Sequence, residues 1–63
     1  MTIEIEIACD NAAFDPEPEF EVARILRKYA DQIERSGEVA CPLMDYNGNR
    51  VGRAIPVYSG ETK

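Results

Sequence analysis

The first ten residues constrain this chain more than any other stretch. From Thr2 to Asp10 the residues alternate without a fault, with Ile3, Ile5, Ile7 and Cys9 on one face and Thr2, Glu4, Glu6, Ala8 and Asp10 on the other. A period of two with β-branched residues is the pattern of a half-buried strand. Such a strand cannot stand alone. Its backbone needs a neighbouring strand, and its isoleucine face needs a cover. With 63 residues the chain forms one domain, and that domain must supply both.

The cover is a helix. Asp10-Asn11-Ala12-Ala13-Phe14-Asp15-Pro16-Glu17-Pro18 reads as a connection, because Asn and Asp bond their own backbone in turns and each Pro biases its predecessor away from helical angles. Phe14 is the one large apolar group there and is expected to plug the space under the helix start. The helix should begin between Asp15 and Glu19, either with Asp15 as N-cap and Pro16 first, or with the start moved on to Pro18. Glu17, Glu19 and Glu21 fall in or near its first turn, where the helix dipole favours negative charge. Val22, Ile25, Leu26, Tyr29, Ala30 and Ile33 recur at spacings of three and four and form the apolar stripe. Arg27–Asp31 and Asp31–Arg35 are opposite charges four apart and are expected to pair. Ser36-Gly37 ends the helix, with Gly37 as a left-handed cap.

The neighbouring strands come from the C-terminal third. Asn47-Gly48 between apolar segments is a hairpin signal. Taken as a two-residue turn, it sets Tyr46 opposite Asn49, Asp45 opposite Arg50 and Met44 opposite Val51. The core face would then carry Met44, Val51, Ile55 and Val57, with Arg53 among them unless a bulge at Gly52 turns it outward. Pro42 and Pro56 belong at an edge or a strand end. The first strand could pair with the third, parallel to it if the helix is an ordinary crossover. Ser59 to Lys63 is expected to be a frayed tail. The fold class is therefore α+β: a small β-α-β-β domain over residues 1–63, with one amphipathic helix packed on a three-stranded sheet.

Charge is unevenly placed. Residues 1–21 hold seven acidic and no basic side chains, whereas residues 22–63 hold seven basic and five acidic ones, so a net −5 is made of −7 and +2. The deficit of Lys and Arg disfavours nucleic acid and anionic membranes as direct partners. No apolar run is long enough to span a bilayer. The start at Met1, without a basic and then an apolar region, carries no sign of secretion. Cys9 and Cys41 are therefore expected as free, half-buried apolar groups in a reducing cytoplasm, a disulfide between them being the alternative.

The chemistry of catalysis is sparse. There is no histidine, the commonest general base, and no serine in a nucleophile elbow. Gly48, Gly52 and Gly60 precede no helix and make no phosphate loop. Asp45, Asn47 and Asn49 suit turn chemistry better than a calcium loop. No catalytic residue, metal site or cofactor is expected. The candidate contact residues are Glu4, Glu6, Asp10, Asp15, Glu17 and Glu19, which carry acidity from the first strand through the loop into the helix start, together with Tyr46 and Tyr58. A single-sign field of this kind steers and holds a cationic partner. The basic stretch Arg24, Arg27 and Lys28 reads as a solvated helix face paired to Asp31.

The series Asp10-Asn11-Ala12-Ala13-Phe14, Glu21-Val22-Ala23-Arg24-Ile25-Leu26-Arg27, Ala30-Asp31-Gln32-Ile33-Glu34 with Gly37, and Asp45-Tyr46-Asn47-Gly48-Asn49-Arg50-Val51-Gly52 resembles a set of short uncharacterised bacteriophage and prophage proteins. The resemblance covers roughly residues 3–52. It implies a setting, the cytoplasm of a host bacterium, rather than an activity. In size, charge and want of catalytic groups the chain is also similar to anti-CRISPR proteins. The expected role is stoichiometric inhibition of a host protein or ribonucleoprotein complex that presents a basic surface. The alternative is an assembly role, such as a homodimer.

Overall fold

A computed structural model describes residues 1–58. Strand β1 (Thr2–Ile7) leads through a 3-10 turn (Ala12–Phe14) to helix α1 (Pro18–Ser36), and strands β2 (Cys41–Met44) and β3 (Arg50–Val57) follow. The strands form one antiparallel sheet in the order β1-β3-β2, with the helix packed on it. The expected β-α-β-β domain is thus present; the expected tail, Ser59 to Lys63, lies outside the described residues.

The direction of β3 corrects the expectation. β1 does pair with β3, from Thr2 opposite Val57 to Ile7 opposite Gly52, but antiparallel. β2 is also antiparallel to β3. The helix therefore connects two strands that run the same way, β1 and β2, and the hairpin returns β3 between them. The crossover rule applies to β1 and β2, which are not neighbours.

The turn is one residue longer than expected, and that accounts for the rest of the hairpin. The Gly48 amide donates to the Asp45 carbonyl (3.0 Å) and the Asp45 amide to the Asn49 carbonyl (2.9 Å). Gly48 has φ 86°, left-handed. This is a three-residue loop closed by a left-handed glycine, not a two-residue turn. It makes Met44 the partner of Arg50, and a bulge at Val51 then restores Leu43 opposite Gly52, Pro42 opposite Arg53 and Cys41 opposite Ala54. The expected pairs Tyr46–Asn49, Asp45–Arg50 and Met44–Val51 do not form. The bulge lies one residue before Gly52, and Arg53 does face outward, exposed.

The inner face consequently holds Cys41, Leu43 and Ala54, which join Ala13, Phe14, Ile25 and Tyr29 in the core. Of the core expected for the hairpin, only Val51 packs against this cluster; Met44 and Val57 are exposed and Ile55 is half-buried. Phe14 fills the space under the helix start as expected, 1% exposed. Pro42 lies on the edge strand β2, and Pro56 lies near the end of β3, beyond the last β2 pair.

The helix starts at Pro18, with Glu17 at the N-cap and no side-chain cap bond, so the later of the two expected starts is the one used. It ends at Gly37, φ 75°, whose amide donates to the Ile33 carbonyl. Its stripe buries Ile25 and Tyr29 and half-buries Val22 and Ile33, while Leu26 and Ala30 stay exposed. The Asp31–Arg35 pair closes at 3.1 Å. Arg27–Asp31 does not form among the described residues.

Candidate functional site

The acidic residues divide into two kinds. Glu21 and Asp45 are buried, 6% and 4% exposed. Both are satisfied inside the fold. Arg24 grips Glu21 with two parallel bonds of 2.8 Å, Nε to Oε1 and Nη2 to Oε2, and the Tyr46 amide donates to Oε2 (2.8 Å). Arg24 also reaches the Met44 carbonyl (3.3 Å). Asp45 accepts from the amides of Asn47 and Asn49 (both 2.9 Å) and from the side chains of Asn11 (2.9 Å) and Asn49 (3.2 Å). Asn11 in turn caps the 3-10 turn, its Oδ1 accepting from the Ala13 amide (2.8 Å). Three segments distant in sequence are locked together at one end of the molecule: the loop after β1, the helix start and the β2–β3 turn.

The titration of both acids follows from these bonds. The Arg24 guanidinium holds the Glu21 carboxyl below the usual carboxylate range, against the effect of burial and with help from the Tyr46 amide. Burial pushes Asp45 up, but the bonds from Asn49, Asn11 and Asn47 outweigh it and leave its pKa lowered. Arg24 is raised by its bond to Glu21. Arg24 is therefore committed to Glu21 rather than part of a solvated basic stretch, and Asp45 caps a turn rather than facing Arg50.

The other six acids of the first 21 residues are different. Glu4, Glu6, Asp10, Asp15, Glu17 and Glu19 are all exposed, and none of their side chains enters a hydrogen bond or ion pair with another described residue. The structure spreads them over two places. Glu4 and Glu6 stand on the outer face of the sheet, around a shallow depression of about 310 Å³ that also touches Arg53 and Ile55. Arg53 lies opposite Glu6 across the ladder but closes no bridge to it. That face is thus less acidic than residues 1–21 alone imply. Asp15 and Glu17 line a second depression at the loop end, with Phe20 and Tyr46. Asp10 and Glu19 lie in the loop after β1 and in the first helical turn.

The two candidate tyrosines are separated. Tyr46 sits in the β2–β3 turn and Tyr58 follows the far end of β3, so the length of the sheet lies between them. Both are exposed. Tyr29 is a core residue, and its hydroxyl donates to the Val39 carbonyl (2.9 Å). Phe20 was not among the expected contact residues, yet it is 66% exposed beside Tyr46. Its position gave the signal: Phe20 falls off the apolar stripe and four residues before Arg24, on the polar side of the helix.

Cys9 and Cys41 are free, and they are not alike. Cys41 is buried, whereas Cys9 is exposed because β1 ends at Ile7. Among the described residues no helix is long and apolar enough to cross a membrane. The chain matches no protein-family model, and comparison with curated proteins and with solved structures likewise finds no match.

Proposed function

We propose that this chain is a small acidic accessory protein of a phage or mobile element that binds a host factor stoichiometrically and inhibits it. The target is a complex in the bacterial cytoplasm with a Lys/Arg surface meant for nucleic acid, a CRISPR effector being the class in view. One observation supports this reading above the others. Glu21 and Asp45, which hold the loop end together, are buried and bonded, whereas the other six acids of residues 1–21 are exposed and bonded to nothing within the described residues. A carboxylate that meets a partner's cation without first breaking an internal bond contributes its full share to association rate and specificity.

The test is capture of partners from host lysate with the wild-type protein and with Glu4→Lys, Glu6→Lys and Glu17→Lys combined. Binding should weaken by about tenfold to a hundredfold, and raised salt should weaken the wild-type complex in the same direction. Unchanged capture by the triple variant would rule out the electrostatic reading. A homodimeric assembly role draws on the exposed apolar side chains Ile5, Met44 and Val57. A clean monomer in sedimentation at micromolar concentration counts against it.

A further inference from the structure

Within the reading of an acidic surface that meets a basic partner, the form of the contact is set by β1. In the order β1-β3-β2 the strand has one neighbour, β3, and its other edge has none among the described residues. The phase of the ladder tells which groups that edge presents. The Ala8 amide donates to the Val51 carbonyl opposite it (2.8 Å), continuing the β1–β3 register. In an antiparallel pair such bonded positions alternate with unbonded ones. Ala8, Glu6 and Glu4 therefore turn their backbone groups toward β3, and Ile3, Ile5 and Ile7 turn theirs to the open edge. Among the described residues the Ile7 carbonyl accordingly receives only the Cys9 thiol, at 3.7 Å.

The side chains along this edge are sorted by face. Glu4 and Glu6 lie on the outer face about 7 Å apart. On the inner face Ile5 stands opposite the fully buried Ala54 but is itself 45% exposed, because the helix packs over β2 and the 3-10 turn. The opposite edge of the sheet is not equivalent: β2 is four residues long and carries Pro42, which cannot donate.

We propose that the open edge of β1 accepts an extended strand from the partner in which Lys or Arg alternates with apolar residues. Backbone bonds would form at Ile3, Ile5 and Ile7, the cations would lie beside Glu4 and Glu6, and the apolar side chains would cover Ile5. This is strand addition, in which main-chain bonds give affinity and alternate side chains give specificity. Charge decides against a second copy as occupant. Two β1 strands paired antiparallel would set Glu4 and Glu6 against their own counterparts, and like charges directly opposite are destabilising.

The experiment uses the full chain and two synthetic peptides of one composition, the first alternating lysine and valine, the second with its lysines and valines in separate blocks. The alternating peptide should slow hydrogen exchange at the Ile3, Ile5 and Ile7 amides and bind at least tenfold more tightly than the block peptide. Ile5→Pro should abolish that preference, because it deletes an edge donor that the β3 ladder does not use. Glu4→Lys with Glu6→Lys should weaken both peptides. Equal binding of the two peptides, with no protection at Ile3, Ile5 and Ile7, overturns strand addition and leaves the acidic reading in place. No binding of either peptide overturns both. Protection of the same amides that grows with protein concentration in the absence of peptide identifies a second copy as the occupant and also overturns the proposal. If Ile5→Pro does not fold, the wild-type exchange pattern alone still decides.

Discussion

Gly52→Ala should be the most damaging one-methyl change in the protein. A Cβ built on Gly52 would lie 1.8 Å from the Glu6 carbonyl oxygen and 2.8 Å from its carbon. Contacts under 3.0 Å are essentially not tolerated, so β1 and β3 must part by at least 1.2 Å, the difference from 1.8 Å. The obstacle is backbone, and no rotamer change relieves it. A separation of that size lengthens an ordinary ladder bond of about 2.9 Å beyond hydrogen-bonding range. The pairs on either side, Glu6–Arg53 and Ala8–Val51, are the bonded ones. Losing them costs about 1 kcal/mol each, and overpacking adds about 1–3 kcal/mol. About 3–5 kcal/mol is therefore at stake in a domain whose whole stability is on the order of 3–9 kcal/mol at the usual value per residue. Urea unfolding followed by circular dichroism measures it. Gly48→Ala is the comparison, since Gly48 has φ 86° but nothing within 4 Å of its would-be Cβ; left-handed strain alone should cost about 1–2 kcal/mol. If Gly52→Ala unfolds within 0.5 kcal/mol of the wild type (about the scatter of neutral surface changes), or costs less than Gly48→Ala, the close approach of the two strands is not as described.

Four further outcomes follow from the same contacts. Asp45→Ala strips partners from the Asn47 and Asn49 amides and from Asn11, and should cost about 2–4 kcal/mol in the same urea assay. Glu21→Ala leaves Arg24 and the Tyr46 amide without their acceptor; because the Arg24 side chain is 38% exposed and can rehydrate, the cost should fall to about 1–3 kcal/mol, below the usual loss for a buried pair. Stability should drop on acidification. Glu21 and Asp45 both titrate lower in the folded than in the unfolded state, so the unfolded chain takes up protons first; their contribution is complete above the ordinary carboxylate range of about 4 and is lost as pH falls below it, and urea midpoints at pH 7, 4 and 3 would show this. Glu4→Lys and Glu6→Lys should leave the midpoint within about 0.5 kcal/mol, which makes any loss of binding attributable to charge.

Local rules made much of the fold legible. The alternation of Thr2 to Ile7, the plug at Phe14, the cap at Gly37 and the left-handed Gly48 each follow from the residue and its near neighbours. The hairpin faces did not, because Asn-Gly serves a three-residue turn as readily as a two-residue one and a slip of one residue exchanges the two faces of a strand. Each buried acid has local partners, Arg24 three residues after Glu21 and the Asn47 and Asn49 amides after Asp45, but these alone do not bury it. What singles out Glu21 and Asp45 is contact across the fold, with the Tyr46 amide 25 residues from Glu21 and Asn11 34 residues from Asp45. Half of the candidate site was readable for the same reason. Exposure of Glu4 and Glu6 follows from strand alternation, whereas the grouping of Asp15 and Glu17 with Phe20 and Tyr46 depends on where two loops meet.

That division bears on why so small a domain keeps so many free acids. The Asp45 and Glu21 networks already close the loop end, and among the described residues the core is supplied by seven buried apolar side chains, so no exposed carboxylate is needed to hold the chain together. Like charges close in sequence repel and lower stability slightly. A chain selected for folding alone would place cations among Glu4, Glu6, Asp10, Asp15, Glu17 and Glu19, yet residues 1–21 contain no Lys or Arg. Arg24, the first cation in the chain, is held by Glu21. Arg53 faces the outer sheet surface from the central strand and leaves the open edge to Glu4 and Glu6. An arrangement that shields Glu21 and Asp45 and leaves the six other acids of residues 1–21 bare is better accounted for by a partner's cations than by the demands of the fold.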